Sequence, residues 1–326
     1  MNLIVLKTTD PYLNLAIEEY LFRKSKEEWF ILWQNDNTVV IGKNQNAFAE
    51  VNTEYADGCG VKIARRITGG GAVYHDLGNV NYSFIKNKNN REIDFTEYTS
   101  PVLEVLSELG VEAELSGRND LVTLDGKKFS GSAQYSDGER VLHHGTLLFD
   151  SDLDMLSRVL RVDPEKLHAR AISSVRSRVT NLKPLLSVEA DASLFIDLIA
   201  SRVTARLNAT RVDAVINSEI INIAKRNASR EWLYPERDYL SRYSYKLKKR
   251  YGFGGVELYL DMKNGIITAA RIFGDFFALS DISEIEALAE GRTVAEFRSL
   301  ISEVRIGDYI SGMNNSDFSE LLDFSE

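Results

Sequence analysis

Short apolar and β-branched runs alternate with helical periodicity through the first half of the chain. Asn2–Lys7 and Thr38–Gly42 predict strands. Between them Leu13, Ile17, Tyr20 and Leu21 recur at helical spacing, which predicts an amphipathic helix from Pro11 to about Lys26. Pro101–Leu109 repeats that spacing through Val102, Leu106 and Leu109, with Gly110 as its C-terminal stop. Asp125-Gly126 stands between the runs Asp120–Leu124 and Lys127–Gly131, a strong hairpin signal. A second hairpin is predicted at Ser136-Asp137-Gly138, leading into a strand over Val141–Asp150. Helices are predicted at Leu153–Arg161, Leu194–Asn208 and Ser218–Asn227.

The pattern changes after Tyr239. Lys246–Arg250 is a basic run that reads as a solvated linker face, and Tyr251-Gly252-Phe253-Gly254-Gly255 follows it. Val256, Leu258 and Leu260 then alternate, Asn264-Gly265 turns, and Ile266–Phe273 returns as a strand. Two helical patterns, Ile282–Ala289 and Val294–Val304, complete a separate α+β unit of about 75 residues. The chain length of 326 residues also suits two domains, expected at 1–245 and 246–326.

Composition narrows the classes. The chain is 44% hydrophobic and 27% charged, an ordinary globular balance. Its formal charge of −9 argues against a nucleic-acid partner, which asks for a basic face. The single cysteine, Cys59, can form no internal disulfide and no Cys-based metal set. The start of the chain lacks a signal-peptide pattern, and no apolar stretch approaches the roughly 20 residues of a membrane helix. A soluble, cytoplasmic protein with no membrane partner is expected.

The most informative stretch is Arg65-Arg66-Ile67-Thr68-Gly69-Gly70-Gly71-Ala72-Val73-Tyr74-His75-Asp76. Three consecutive glycines let the backbone take positive φ and approach a ligand closely. Two adjacent guanidiniums offer bidentate contacts to carboxylate or phosphate. Taken alone, the stretch reads equally as a tight turn with solvated arginines. It is no P-loop, since neither Gly42-Lys43-Asn44 nor Gly126-Lys127-Lys128 sets Ser or Thr after the lysine. The dinucleotide fingerprint G-x-G-x-x-G is absent here too.

Three further constellations follow. In Gly117-Arg118-Asn119-Asp120, Asp120 is a hard oxygen ligand suited to Mg²⁺ that accompanies phosphates. Lys128, alternating with apolar Phe129 in Lys128–Gln134, could direct its ammonium into a cleft, and Lys127 should face the other way. Two exposed hairpin lysines are the plainer reading of that pair. His143-His144-Gly145 puts two histidines on opposite faces of a strand, which suits a buried hydrogen-bonded histidine better than zinc. Ser173–Leu182 is a polar, arginine-bearing loop that folds over a nucleotide or lies on the surface.

In order and interval, Arg65–Asn79, Lys128–Ala133, His144–Leu148 and Ser174–Leu182 together resemble lipoate–protein ligase A, over essentially the whole chain. The resemblance implies an α+β fold: a mixed β-sheet with flanking helices, as in biotin ligases and class II synthetases, plus a small C-terminal α+β accessory domain. It implies ATP and Mg²⁺ as cofactors, lipoate as substrate, and lipoyl-AMP as the intermediate. The acceptors implied are lipoyl-domain proteins, namely acyltransferase subunits of 2-oxoacid dehydrogenases and the glycine-cleavage H protein, served by a monomer. Carried over by position, Lys128 is the catalytic lysine touching lipoate carboxyl and nucleotide. Arg66, Gly71, Ala72, Val73, Tyr74, Lys128 and Arg178 fall on ATP or lipoyl-AMP positions. Arg66, Thr68, Gly69, Gly70, His75, His144 and Gly145 fall on lipoate positions. Asn119 and Asp120 match the polar groups near phosphate and metal, and Arg176–Leu182 matches the adenylate-binding loop. Thr68 stands where the pattern often has serine, keeping the hydroxyl.

Two rival functions fit the same core. An ATP-independent octanoyl or lipoyl transferase needs a cysteine nucleophile, and Cys59 lies ahead of the Arg65-Arg66 loop, away from the place downstream of His-Gly where such a cysteine belongs. A non-catalytic lipoate or nucleotide binder would have no need of Lys128 as a transition-state cation.

Overall fold

The computed structural model describes residues 1–88, 93–161, 178–235 and 243–323. Its centre is an eight-stranded mixed sheet: β11 (Thr210–Arg211), β1 (Asn2–Val5), β2 (Trp29–Trp33), β6 (Asn79–Asn87), β10 (Arg140–Leu148), β9 (Lys128–Ser136), β8 (Asp120–Thr123) and β7 (Ala113–Ser116), in that spatial order. β1 pairs in parallel with β2 and β11, and the other pairs are antiparallel. A small sheet of β4 (Lys62–Arg65), β3 (Thr38–Ile41) and β5 (Val73–His75) stands beside it.

Helices cover both faces of the large sheet, because its central strands have apolar residues on each side. On one face Tyr82, Phe84, Phe129 and Leu147 pack with Val102, Val105 and Leu106 of helix Thr96–Glu108 and with Phe195, Ile199 and Val203 of helix Ala192–Leu207. On the other, Ile31, Trp33 and Leu142 meet Leu15, Ile17 and Phe22 of α1 (Pro11–Lys24) and Ile220 of helix Ser218–Asn227.

Helix Thr96–Glu108 begins a turn and more before the expected Pro101, which lies inside it. Asp94 caps its start, the carboxylate accepting from the Thr96 and Glu97 amides at 3.0 and 3.3 Å. Side-chain capping thus outweighed the preference of proline for the first helical position. Both expected hairpins form, with Gly126 and Gly138 at φ of 81° and 100°.

The C-terminal region has its own core, in which Val256, Leu258, Leu260 and Ile272 of a three-stranded sheet pack with Ile285, Phe297, Ile301 and Phe318 from the helices. That sheet is antiparallel: β12 (Tyr245–Tyr251), β13 (Gly254–Lys263) and β14 (Ile266–Gly274). The basic run is therefore no linker. Lys246–Arg250 lies inside β12, where Leu247 packs inward while Lys246 pairs with Glu257 at 3.0 Å and Arg250 with Asp275 at 3.5 Å. Its lysines mask an edge strand, a use of charge that the sequence alone does not separate from a solvated linker.

Candidate active site

β4 delivers Arg65 and Arg66 to the start of the glycine loop, and β5 leaves it at Val73. Arg65 is not available to an anion. Its guanidinium donates to the carbonyls of Gly42, Lys43, Gln45, Trp232 and Leu233 at 2.6–3.2 Å, tying a turn to a short helix. Arg66 is 5% exposed and organises the loop from within. Its Nη2 donates to the Gly69 and Gly71 carbonyls, each at 2.7 Å, its Nη1 to Val40 O at 3.1 Å and its Nε to Thr68 Oγ1 at 3.0 Å. Burial, partly offset by Glu18, lowers its pKa to about 10, so it stays charged at neutral pH.

Thr68 is fully buried and passes this network on to His144 Nε2 at 2.8 Å. His144 Nδ1 lies 3.0 and 3.1 Å from the two Glu18 oxygens. A carboxylate only accepts, so Nδ1 carries a proton. Ser83 Oγ donates to Glu18 at 2.6 Å, and Trp33 Nε1 donates to Ser83 Oγ at 2.8 Å. A buried guanidinium and a buried carboxylate are thereby joined through a hydroxyl and an imidazole that hydrogen-bond to both, the condition under which burying charge is tolerable.

Lys128 opens β9, and its Nζ pairs with Asp120 Oδ1 at 2.7 Å. A Cβ at Gly131 would come 3.1 Å from that nitrogen, so glycine leaves room for the lysine to lie across the strand. Lys127 turns to solvent and pairs with Asp125 at 3.2 Å, the opposite orientation that alternation predicts. Asn119 Nδ2 donates to Ser132 O at 2.6 Å, which fixes the β8 and β9 ends beside the lysine.

These elements line a cleft that opens to solvent. Of the sequence candidates, Arg66, Gly71, Ala72, Val73, His75, Asn119, Lys128, His144 and Gly145 line it. Asp120 adjoins through its pair with Lys128, and Thr68 sits one bond behind the wall. Tyr74 faces away, its hydroxyl donating to Asn37 Oδ1 at 3.1 Å within the small-sheet core. Gly69 and Gly70 meet the accessory domain instead: Gly70, at φ 86°, donates to Phe276 O at 3.3 Å. Arg178 is half-buried outside the lining, and neighbouring Val179 bridges to Lys128. Ser174–Ser177, including Arg176, lie outside the described residues.

Sequence reasoning missed Leu15, Trp33, Val40 and Asn81 in the lining, and Glu18, Asn35 and Ser83 behind it. A signal existed in α1, where Asn14 and Glu18 stand one turn apart in the same buried face as Leu15 and Ile17. Polar residues inside an apolar stripe are the pattern that marks such a network.

A family model described as "Lipoyl protein ligase A/B catalytic domain" matches residues 10–204, and one described as "Bacterial lipoate protein ligase C-terminus" matches residues 241–322. Lipoate-protein ligase LplJ of Bacillus subtilis is 38% identical over 96% of this chain and 97% of its own. Lipoate–protein ligase 1 of Staphylococcus aureus is 33% identical, with 96% and 97% covered. The structure of P. falciparum LipL1 in complex with lipoate superposes with a TM-score of 0.79 at 25% identity, covering 98% and 97% of the two chains. An archaeal bipartite lipoate protein ligase with its E2 lipoyl domain, from Thermoplasma acidophilum, gives 0.60 at 29% identity, covering 72% and 95%. A lipoate-protein ligase A bound with ATP gives 0.59 at 28%, covering 72% and 98%.

Proposed function

The chain belongs to the lipoate–protein ligase family, and from that premise we propose how its cleft carries out the reaction. The enzyme activates lipoate with ATP and transfers the lipoyl group to a protein lysine. A lipoate carboxylate oxygen bonds to the α-phosphorus, and the bond from that phosphorus to the bridging oxygen breaks, releasing pyrophosphate and leaving lipoyl-AMP. The acceptor amine then attacks the acyl carbon, AMP leaves with the bonding pair, and the amine loses a proton as the amide forms.

The observation that carries the residue assignment is Lys128 in the same cleft as Arg66, Gly71–Val73, His75 and His144. An ammonium has three donors. Asp120 holds one, which leaves two for the lipoate carboxylate and the α-phosphate as negative charge gathers between them. Arg66 holds the glycine loop by its Gly69 and Gly71 carbonyls, and its charge adds to the field in the cleft. Mg²⁺ fits a donor set of this kind, since it is commonly carried on phosphates and held by one or two carboxylates. Asp120 is the carboxylate beside Lys128, Asn119 is its polar neighbour, and among the described residues no group of three or more ligating side chains offers a dedicated metal cage. When bound, the ion would neutralise phosphate charge.

Lipoyl domains of 2-oxoacid dehydrogenase subunits and the glycine-cleavage H protein are the acceptors in this reading, supported by the archaeal relative's pairing with its E2 lipoyl domain. Among the described residues the cleft draws its lining from the catalytic region alone, which suits a monomer, and an ATP-dependent reaction suits the cytoplasm expected from the sequence. Among the described residues, no helix is long and apolar enough to cross a membrane. We divide the chain into a catalytic domain of 1–245 and an accessory domain of 246–326, the latter supported by its separate core.

The test is pyrophosphate release with lipoate, ATP and Mg²⁺, followed by mass analysis of a lipoyl domain. Release should require lipoate, and the domain should gain one lipoyl group. Cys59 is exposed at the end of helix Thr53–Gly58 and does not line the cleft, so Cys59→Ser should keep activity within a few-fold. Efficient acyl transfer from an octanoyl carrier protein without ATP, lost in Cys59→Ser, would instead establish the transferase.

A further inference from the structure

The buried end of the cleft holds a polar group that adenylation does not use. Of the lining residues, Leu15, Trp33, Val40, His75, Asn81 and Ser132 are each at most 4% exposed, whereas the Lys128 side chain is 39% exposed. The carboxylate must meet ATP at Lys128, so the other end of the acyl chain runs inward to this floor.

A chain of amides sets the state of His75. Asn14 Nδ2 donates to Asn35 Oδ1 at 2.9 Å, which turns the Asn35 nitrogen toward His75 Nδ1 at 3.1 Å. An amide nitrogen only donates, so Nδ1 is the lone-pair nitrogen and the single ring proton sits on Nε2. Burial above all, and then Arg66 and His144, depress its pKa to about 3, which keeps the ring neutral. His75 Nε2 is buried and has no hydrogen-bond partner among the described residues. Trp33, whose ring meets His75 edge-on at 6.0 Å, commits its own N–H to Ser83. The other deeply buried polar groups of the lining are occupied, Asn81 Nδ2 donating to Trp33 O at 3.3 Å and Ser132 Oγ lying 3.2 Å from the Tyr82 hydroxyl, so His75 Nε2–H is the donor left facing Leu15, Trp33 and Val40.

We propose that His75 Nε2–H is a specificity-determining donor that favours the sulfur-bearing ring of lipoate over the alkyl end of octanoate. The proposal rests on the ligase reading above, which sets the direction of the acyl chain. Octanoate brings a methyl group to the donor and leaves it unpaired, while a ring sulfur is a weak acceptor. A site discriminates against an analogue that strands its buried polar group. The weakness of sulfur keeps the factor modest, on the order of tenfold rather than the roughly 10⁴–10⁵ seen where a site hydrogen-bonds a substrate OH or NH.

The experiment uses the full chain with lipoate and octanoate in pyrophosphate release, and reads the ratio of their kcat/KM values. His75→Phe keeps a flat ring without the donor and should lower the lipoate preference roughly tenfold, mostly through KM for lipoate. His75→Gln carries an amide N–H of its own and should keep most of the preference. Asn35→Asp acts at a distance: a carboxylate only accepts, so Nδ1 takes the proton and Nε2 turns a lone pair toward the sulfur. The preference should fall as far as in His75→Phe, although no cleft group has been removed. An unchanged ratio in His75→Phe and Asn35→Asp overturns the proposal, and so does an equal fall in all three variants, which would mean packing alone. Circular dichroism identifies folded variants, and if His75→Phe does not fold, Asn35→Asp against His75→Gln decides. A parent that releases no pyrophosphate with either acid would sink the ligase reading itself, a separate failure.

Discussion

His75 and His143 show how much a single buried ring can alter the response of the whole protein to pH. His143 is fully buried and stacked on Tyr98 at 4.9 Å, and burial holds its pKa well below the ordinary value. His75 is lowered to about 3. In the unfolded chain each ring takes a proton near pH 6.5. Between that value and the folded pKa the unfolded state binds more protons, so stability is fully present at neutral pH and falls as the pH drops through that window. Each ring contributes up to roughly 1.4 kcal/mol per pH unit to the slope. Urea unfolding between pH 7 and 5 should therefore show a steep decline, made shallower by about one proton in His143→Phe. Equal slopes in parent and variant would mean the ring is protonated in the native state. Neither effect was readable from the sequence, because burial of a particular imidazole depends on which helix crosses the strand.

At the scale of the element, strand alternation decides which of two neighbouring lysines reaches the cleft. β9 starts at Lys128, with the ammonium against Asp120, while Lys127 stays in the turn and pairs with Asp125. Lys128→Ala should lower lipoate-dependent pyrophosphate release by roughly 10²–10³-fold with the fold retained, a loss typical of removing one transition-state donor. Lys127→Ala should behave like the parent, and Lys128→Arg should rescue poorly because a planar fork cannot occupy the same point. Were Lys127→Ala the inactive variant, the register would be wrong by one residue. This register was legible in the alternation with Phe129. The polar face of β6 was not read, although Asn79, Asn81 and Ser83 alternate with Val80, Tyr82 and Phe84 there. Both faces of that strand are buried, so its polar side chains serve the cleft and its wall rather than solvent. Solvent-facing and site-facing polar residues give the same pattern until the covering helix is known.

At the scale of the molecule, the accessory domain rests on the loop that shapes the cleft. Phe276 O accepts from Gly70 N at 3.3 Å, Gly274 N donates to Asn44 O at 2.8 Å, and Arg118 lies 4.3 Å over the Phe277 ring. A Cβ at Gly69 would stand 2.4 Å from Phe276 O, closer than side-chain carbons approach. Gly69→Ala should therefore loosen this docking, seen as a larger radius of gyration in solution scattering of the unliganded protein. Gly71→Ala, whose added carbon meets nothing within 4 Å, should leave the scattering unchanged. Loading the parent with lipoyl-AMP should also change the profile, since the ligand fills the loop that Phe276 and Phe277 press against. Identical profiles for Gly69→Ala and parent would show that the interface tolerates the shift locally.

The sequence by itself determined the periodic elements, the two hairpins, the positions of the glycine loop and of Lys128, and the family. These are local or short-range properties: spacing, turn chemistry and a motif whose order survives without a three-dimensional frame. Only the tertiary structure decided what those residues are bonded to. Arg65 and Arg66 look equivalent in the chain, yet one ties a turn to a distant helix and the other holds the loop beside the cleft. The basic run became an edge strand because Leu247 and Tyr251 found a core to enter. Glu18, Ser83, His144 and Thr68 come together from α1, β6, β10 and the glycine loop, separated by up to 126 residues. No local pattern encodes such a meeting, since it follows from which faces of sheet and helix are buried against each other.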